Sequence, residues 1–120
     1  MRSKVEFDAV FAGGQRGFTP ECLVISLPNQ RAYSRLGLSV GRRFGRAPQR
    51  NRAKRLLREA FRLEREQLPL GFDLVVIPRP GEFPNDLESV RQLLVRAAKS
   101  SLTGARQRPR ANPPRKRGQR

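Results

Sequence analysis

Arg42-Arg43-Phe44-Gly45-Arg46-Ala47-Pro48-Gln49-Arg50-Asn51-Arg52-Ala53-Lys54-Arg55-Leu56-Leu57-Arg58-Glu59-Ala60-Phe61-Arg62 is the stretch that decides how this chain folds. Pro48 suits the first turn of a helix. The pattern predicts that this helix runs to about Gln67, with Pro69 and Gly71 beyond its end. At about 100° per residue, Ala53, Leu56, Leu57, Ala60 and Phe61 fall in one stripe. Arg55, Arg58 and Arg62 fall on the opposite side, flanked by Asn51, Lys54 and Arg65. One face is built for a core and the other is a basic ridge.

From 42 to 65 there are ten basic residues and two acidic ones, Glu59 and Glu64. Most charged helix faces are simply solvated, but they mix signs, because pairs four residues apart stabilise a helix. A ridge of one sign repels itself unless a polyanion neutralises it. The preference for Arg fits this partner, since a planar guanidinium grips phosphate with two hydrogen bonds and stacks on bases. Gly41 and Gly45 allow close backbone approach before the helix, and the helix N-terminus favours phosphate. A helix reading DNA sequence needs base-contacting side chains along its exposed face, and only Asn51 and Gln49 qualify. The pattern therefore points to docking on structured nucleic acid. A ribosomal or RNA-chaperone role remains an alternative on the same ridge.

Outward from this block, Leu36-Gly37-Leu38-Ser39-Val40 precedes it as a strand. An earlier strand, Cys22-Leu23-Val24-Ile25-Ser26-Leu27, stops at Pro28. The short connection between them predicts opposite directions. Ser3-Lys4-Val5-Glu6 has the form of a capping box. Phe7, Val10 and Phe11 follow on one helical face, ended by Gly13-Gly14. Phe72 to Ile77 is nearly all apolar and predicts a central strand buried on both faces. Asp86 can cap a last helix with Leu87, Val90, Leu94 and Ala97 or Ala98 inward and Leu93 at the edge.

The order helix, strand, strand, helix, strand, helix predicts an α/β (α+β) two-layer sandwich, a small sheet with helices against it. If the second and third strands are parallel neighbours, the helix between them favours a right-handed crossover.

The chain has 120 residues, which fits one domain plus a tail. Residues 1–102 are expected to be the domain. Residues 103–120, seven basic and none acidic, lack apolar periodicity and are expected to be a disordered Arg/Pro-rich tail. The net charge is +16, and the domain alone holds 19 basic against 10 acidic side chains. Nucleic acid is the expected partner, because a membrane surface wants an amphipathic helix with exposed apolar bulk. The longest aliphatic run, Leu74-Val75-Val76-Ile77, is far too short to span a bilayer. A single cysteine, Cys22, precludes an internal disulfide and suits a reducing compartment. A cytoplasmic location is expected. There is no His for imidazole acid–base work, and the carboxylates are scattered instead of converging as a metal nuclease requires. No catalytic and no metal-binding residue is assigned.

Leu36 to Val40, Arg42-Arg43, Gly45, Ala47 and the run Arg50-Asn51-Arg52-Ala53-Lys54-Arg55-Leu56-Leu57-Arg58-Glu59-Ala60-Phe61 together resemble the signature of the bacterial ribonuclease P protein component. The Phe7 to Phe11 helix and the Asp73 to Ile77 strand sit at that family's spacing, and the resemblance covers about residues 4–101. It implies a left-handed βαβ crossover carrying the basic helix, in place of the right-handed one. It implies that Arg42, Arg43, Arg46, Arg50, Asn51, Arg52, Lys54, Arg55, Arg58 and Arg62 bind the catalytic RNA subunit. Phe7 and Phe11, which by spacing alone suit ordinary core packing, are implied to bind the single-stranded 5′ leader of precursor tRNA, with Arg2 and Lys4 beside them. The magnesium ions that hydrolyse the phosphodiester are implied to be held mainly by RNA. The partners implied are ribonuclease P RNA and precursor tRNA, with no obligate protein partner and no membrane.

Overall fold

A computed structural model describes residues 4–107 and the side chains of residues 4–102. In chain order these form α1 (Lys4–Gly13), β1 (Gln15–Phe18), β2 (Cys22–Pro28), β3 (Arg35–Leu38), a 3-10 turn (Arg42–Phe44), α2 (Ala47–Leu63), a second 3-10 turn (Arg65–Gln67), β4 (Phe72–Pro78) and α3 (Leu87–Gln107). The sheet order is β1-β2-β4-β3. The most apolar strand, β4, is central as its sequence requires, and Leu74, Val75 and Val76 are fully buried.

β2 and β3 run in opposite directions, as expected, with β4 between them, antiparallel to β2 and parallel to β3. The strand β1 was not expected at all. Gln15-Arg16-Gly17-Phe18 carries no apolar alternation, and tertiary contacts hold it in place. It pairs with β2 across a turn closed by Thr19 N–H donating to the Cys22 carbonyl at 3.0 Å. Its Gly17 also lies against α3, where an added Cβ would sit 2.3 Å from the Ser101 backbone nitrogen.

Strand residues alternate between two faces. Cys22, Val24, Leu74 and Val76 face a large core with Leu57 and Ala60 of α2 and Val90, Leu93, Leu94, Ala97 and Ala98 of α3. Leu93, expected at the edge of the helix stripe, is fully inside. Cys22 packs there too, and burial pushes its thiol up from the ordinary value. The other face carries Ile25 and Val75 against Val10 of α1, with Leu23, Leu27 and Ile77 partly covered. At the start of α3, Asp86 Oδ2 accepts the Ser89 N–H at 2.9 Å, the cap that the sequence suggested. α3 continues to Gln107, so residues 103–107 of the expected tail are helical. The remainder of that tail, the Ser3 cap and Arg2 lie outside the described residues.

Candidate nucleic-acid interface

Packing orients α2. Ala53, Leu57 and Ala60 are buried and Leu56 and Phe61 half-buried, so Arg55, Arg58 and Arg62 are turned to solvent. Arg42, Arg43 and Arg46 are also exposed, on the turn before α2 and at its start, as is Asn51, while Lys54 is half-buried. The basic ridge expected from the sequence is therefore one continuous region, running from the 3-10 turn along α2.

Its members are not equivalent. Arg50 Nη1 donates to the Gly45 carbonyl at 2.7 Å, fastening the loop before α2. Arg52 donates through Nε to Asn85 Oδ1 at 2.5 Å and through Nη2 to the Asn85 carbonyl at 2.9 Å, fastening the loop before α3. Arg62 pairs with Glu59 one turn back. The hydrogen bond between them holds the Glu59 carboxyl below its usual range and the Arg62 guanidinium above its own. Arg42, Arg43, Arg55 and Arg58 make no ion pair among the described residues. At the head of α2, Gln49 Oε1 accepts the Arg46 N–H at 2.7 Å. A Cβ at Gly45 would lie 2.4 Å from that same oxygen, so glycine leaves room for the cap.

The second region is the face under α1. Phe7 and Phe11 stack at 6.5 Å between centroids with planes 28° apart, and each is only half-buried. The helix is tied to the sheet by Arg35, whose Nη1 donates to Glu6 Oε2 at 2.7 Å. Its Nε and Nη2 donate to Asp73 Oδ1 and Oδ2 at 2.8 and 2.7 Å. Burial alone would raise the Asp73 carboxyl, but hydrogen bonds from Arg35 and Asn29 outweigh it and hold the group below its ordinary value. Lys4 pairs with Asp8 at 2.9 Å on the exposed side of α1.

β1 brings two residues to this face that the sequence reading missed. Phe18 is opposite Leu23 and Arg16 opposite Ile25, so both point to the α1 side. Phe18 is half exposed, and Arg16 Nη2 donates to the Phe11 carbonyl at 3.3 Å. The only signal available was their i, i+2 spacing between Gly14 and Pro20.

Among the described residues, no group of three or more His, Cys, Asp or Glu side chains is placed to hold a metal ion. The Arg-rich ridge on one side of a small mixed sheet and the part-open aromatic face on the other define a class, that of small basic α/β RNA-binding proteins.

A family profile, Ribonuclease P, matches residues 1–101. The ribonuclease P protein component of Desulfotalea psychrophila is 43% identical over 96 residues, covering 77% of each chain. The solved RNase P protein of Thermotoga maritima superposes with a TM-score of 0.75 at 38% identity, covering 82% of this chain and 94% of that one. That of Staphylococcus aureus gives 0.73 at 25% identity, covering 82% and 91%. The chain belongs to the ribonuclease P protein family. It is a protein subunit of the ribonucleoprotein that removes the 5′ leader from precursor tRNA. The β3–α2–β4 unit, a crossover between parallel neighbours, is accordingly the left-handed one of that family fold.

Proposed function

We propose that the α2 ridge, with the turn before it, docks on the catalytic RNA subunit, while the 5′ leader lies along α1 and the exposed sheet face. The observation that carries this reading is the separation of the two surfaces. Exposed, like-charged arginines lie on the helical side of the sheet, and the half-buried Phe7–Phe11 stack lies on the other. Aromatic stacking tolerates any base, as a subunit that meets many different leaders requires. Phe18 and Arg16 extend that leader surface. Arg50 and Arg52 serve the RNA contact largely by setting the loops on either side of α2, whereas Arg42, Arg43, Arg46, Arg55 and Arg58 meet phosphates directly, with Asn51, Lys54 and Arg62 beside them.

The protein contributes positioning and charge neutralisation, and the magnesium ions belong mainly to the RNA. Among the described residues no group of three or more His, Cys, Asp or Glu side chains is placed to hold a metal ion. No helix among the described residues is long and apolar enough to cross a membrane. A cytoplasmic location and assembly with RNA without an obligate protein partner complete the proposal.

The test is 5′ cleavage of a precursor tRNA by a bacterial ribonuclease P RNA at low magnesium, with and without this chain. Strong stimulation is expected, and it should be lost when Arg55 and Arg58 both become Ala. Tight RNA binding without stimulation would overturn the assignment of these surfaces and favour a chaperone role.

A further inference from the structure

A cavity of ≈ 380 Å³ lies on the flank of α2, between Pro48, Arg52 and Leu56 of the helix, Phe44 of the 3-10 turn and the loop carrying Phe83 and Asn85. Phe44 and Phe83 meet edge to face at 5.9 Å with planes 73° apart. Both are half-buried, although Phe83 also packs on the core. The two hydrogen bonds from Arg52 to Asn85 fix the guanidinium plane in this wall. They occupy the Asn85 oxygen, leaving its NH₂ as the donor end of the amide.

We infer that this cavity receives one unpaired nucleobase of the RNA subunit, turned out of its stack. The inference rests on the reading of α2 as the RNA-docking helix. The cavity is near the lower end of the size range of small-molecule sites, roughly 300–1,000 Å³, so it suits a single planar ring system and excludes a helix or strand. Its walls supply aromatic rings and a guanidinium plane, the groups on which unstacked bases rest. Arg52 and Asn85 offer hydrogen-bond donors to the ring nitrogens and carbonyls of a base edge. Charge favours a nucleotide over a neutral aromatic ligand. Arg42 and Arg43, which directly precede Phe44, are exposed, as is Arg46 just beyond it. The loop's own acids are the exposed Glu82 and Asp86, and Asp86 is engaged with the Ser89 N–H. A base held here would give the ridge a fixed register on the RNA, which phosphate contacts alone supply poorly because every phosphate is alike.

The test compares equilibrium binding of the full chain to ribonuclease P RNA across a salt series. Phe44→Leu stays apolar and removes the stacking ring, and Phe44→Tyr keeps the ring. Stacking on one base predicts a loss of roughly 5- to 100-fold for Phe44→Leu, equal at all salt concentrations, with Phe44→Tyr near wild type. Chemical probing of the RNA bases with the wild-type chain needs no variant to fold. One unpaired base should become protected, and Phe44→Leu should release it. An affinity change under twofold, a loss that appears as a shallower salt slope, or the absence of any protected unpaired base would overturn the inference. Arg55→Ala with Arg58→Ala separates the two levels. If that pair lowers the salt slope while Phe44→Leu does nothing, only the base site falls. If the wild-type chain does not bind the RNA at all, the docking reading falls with it.

Discussion

The two faces of the sheet are built from the same strands and put to different ends. Toward α2 and α3, Cys22, Val24, Leu74 and Val76 enter a closed core, and the neighbouring helix residues are buried as completely as the strands. Toward α1, among the described apolar residues, only Val10, Ile25 and Val75 are fully buried, and Phe7, Phe11, Leu23 and Ile77 stay partly open. A chain of this size has room for about one core. Concentrating it on one side leaves the other side apolar and accessible, which is what a surface for single-stranded nucleic acid needs. The cost is that α1 rests on few apolar contacts and depends on the Arg35 clamp to Glu6 and Asp73.

The most direct way to break this comparison is to truncate one side chain on each face. Leu57→Ala removes a fully buried side chain and should cost about 3 kcal/mol in urea unfolding. Phe7→Ala, on the open face, should cost less, about 1–2 kcal/mol, because its ring is only partly buried. The functional order should be reversed. Phe7→Ala weakens binding of a precursor tRNA with a leader, relative to mature tRNA, by about tenfold, and Leu57→Ala leaves that ratio alone at temperatures where it is folded. Equal stability costs would show that the α1 face is a second core.

The clamp offers a smaller effect with a defined pH signature. Because the Asp73 carboxyl is held below its ordinary value in the fold, its ionised form stabilises the native state. That contribution is present above its unfolded value of about 3.9 and is lost as pH falls through the lower folded value. Asp73→Asn should cost about 2 kcal/mol at pH 7, less than a fully isolated buried pair, because Glu6 still engages Arg35. The difference from wild type should shrink steadily below about pH 4. A gap that stays constant down to pH 2.5 would show that packing, not charge, makes the residue matter.

How far the sequence foretold each region follows from what each element rests on. β4, α2 and the part of α3 up to Leu102 were legible because periodicity and burial agree along them, although α2 gives way to a 3-10 turn after Leu63, short of the expected Gln67. β1 was not, since the position of Gln15-Arg16-Gly17-Phe18 is set by β2 and by the close approach of Gly17 to α3. With β1 hidden, Phe18 and Arg16 could not be placed on the α1 face. The ridge was legible as charge, but the roles of Arg50 and Arg52 were not. Their acceptors lie 5 and 33 residues away, and only the folded loops bring them within reach.

The finest distinction concerns two exposed arginines one turn apart on α2. Arg58 makes no ion pair among the described residues, whereas Arg62 is held by Glu59. Each phosphate contact adds about 0.7–0.9 to the slope of log affinity against log salt. Arg58→Ala should therefore lower the slope by about that amount. Arg62→Ala should lower it by less than half as much, because a cation already neutralised within the protein releases little when it meets RNA. Glu59→Gln frees Arg62, so it should steepen the slope and restore the effect of a subsequent Arg62→Ala. Equal effects of the two single arginine variants would mean that docking breaks the Glu59 pair. The ridge would then be set by the RNA, and the pairing seen in the free protein would not select which arginines bind.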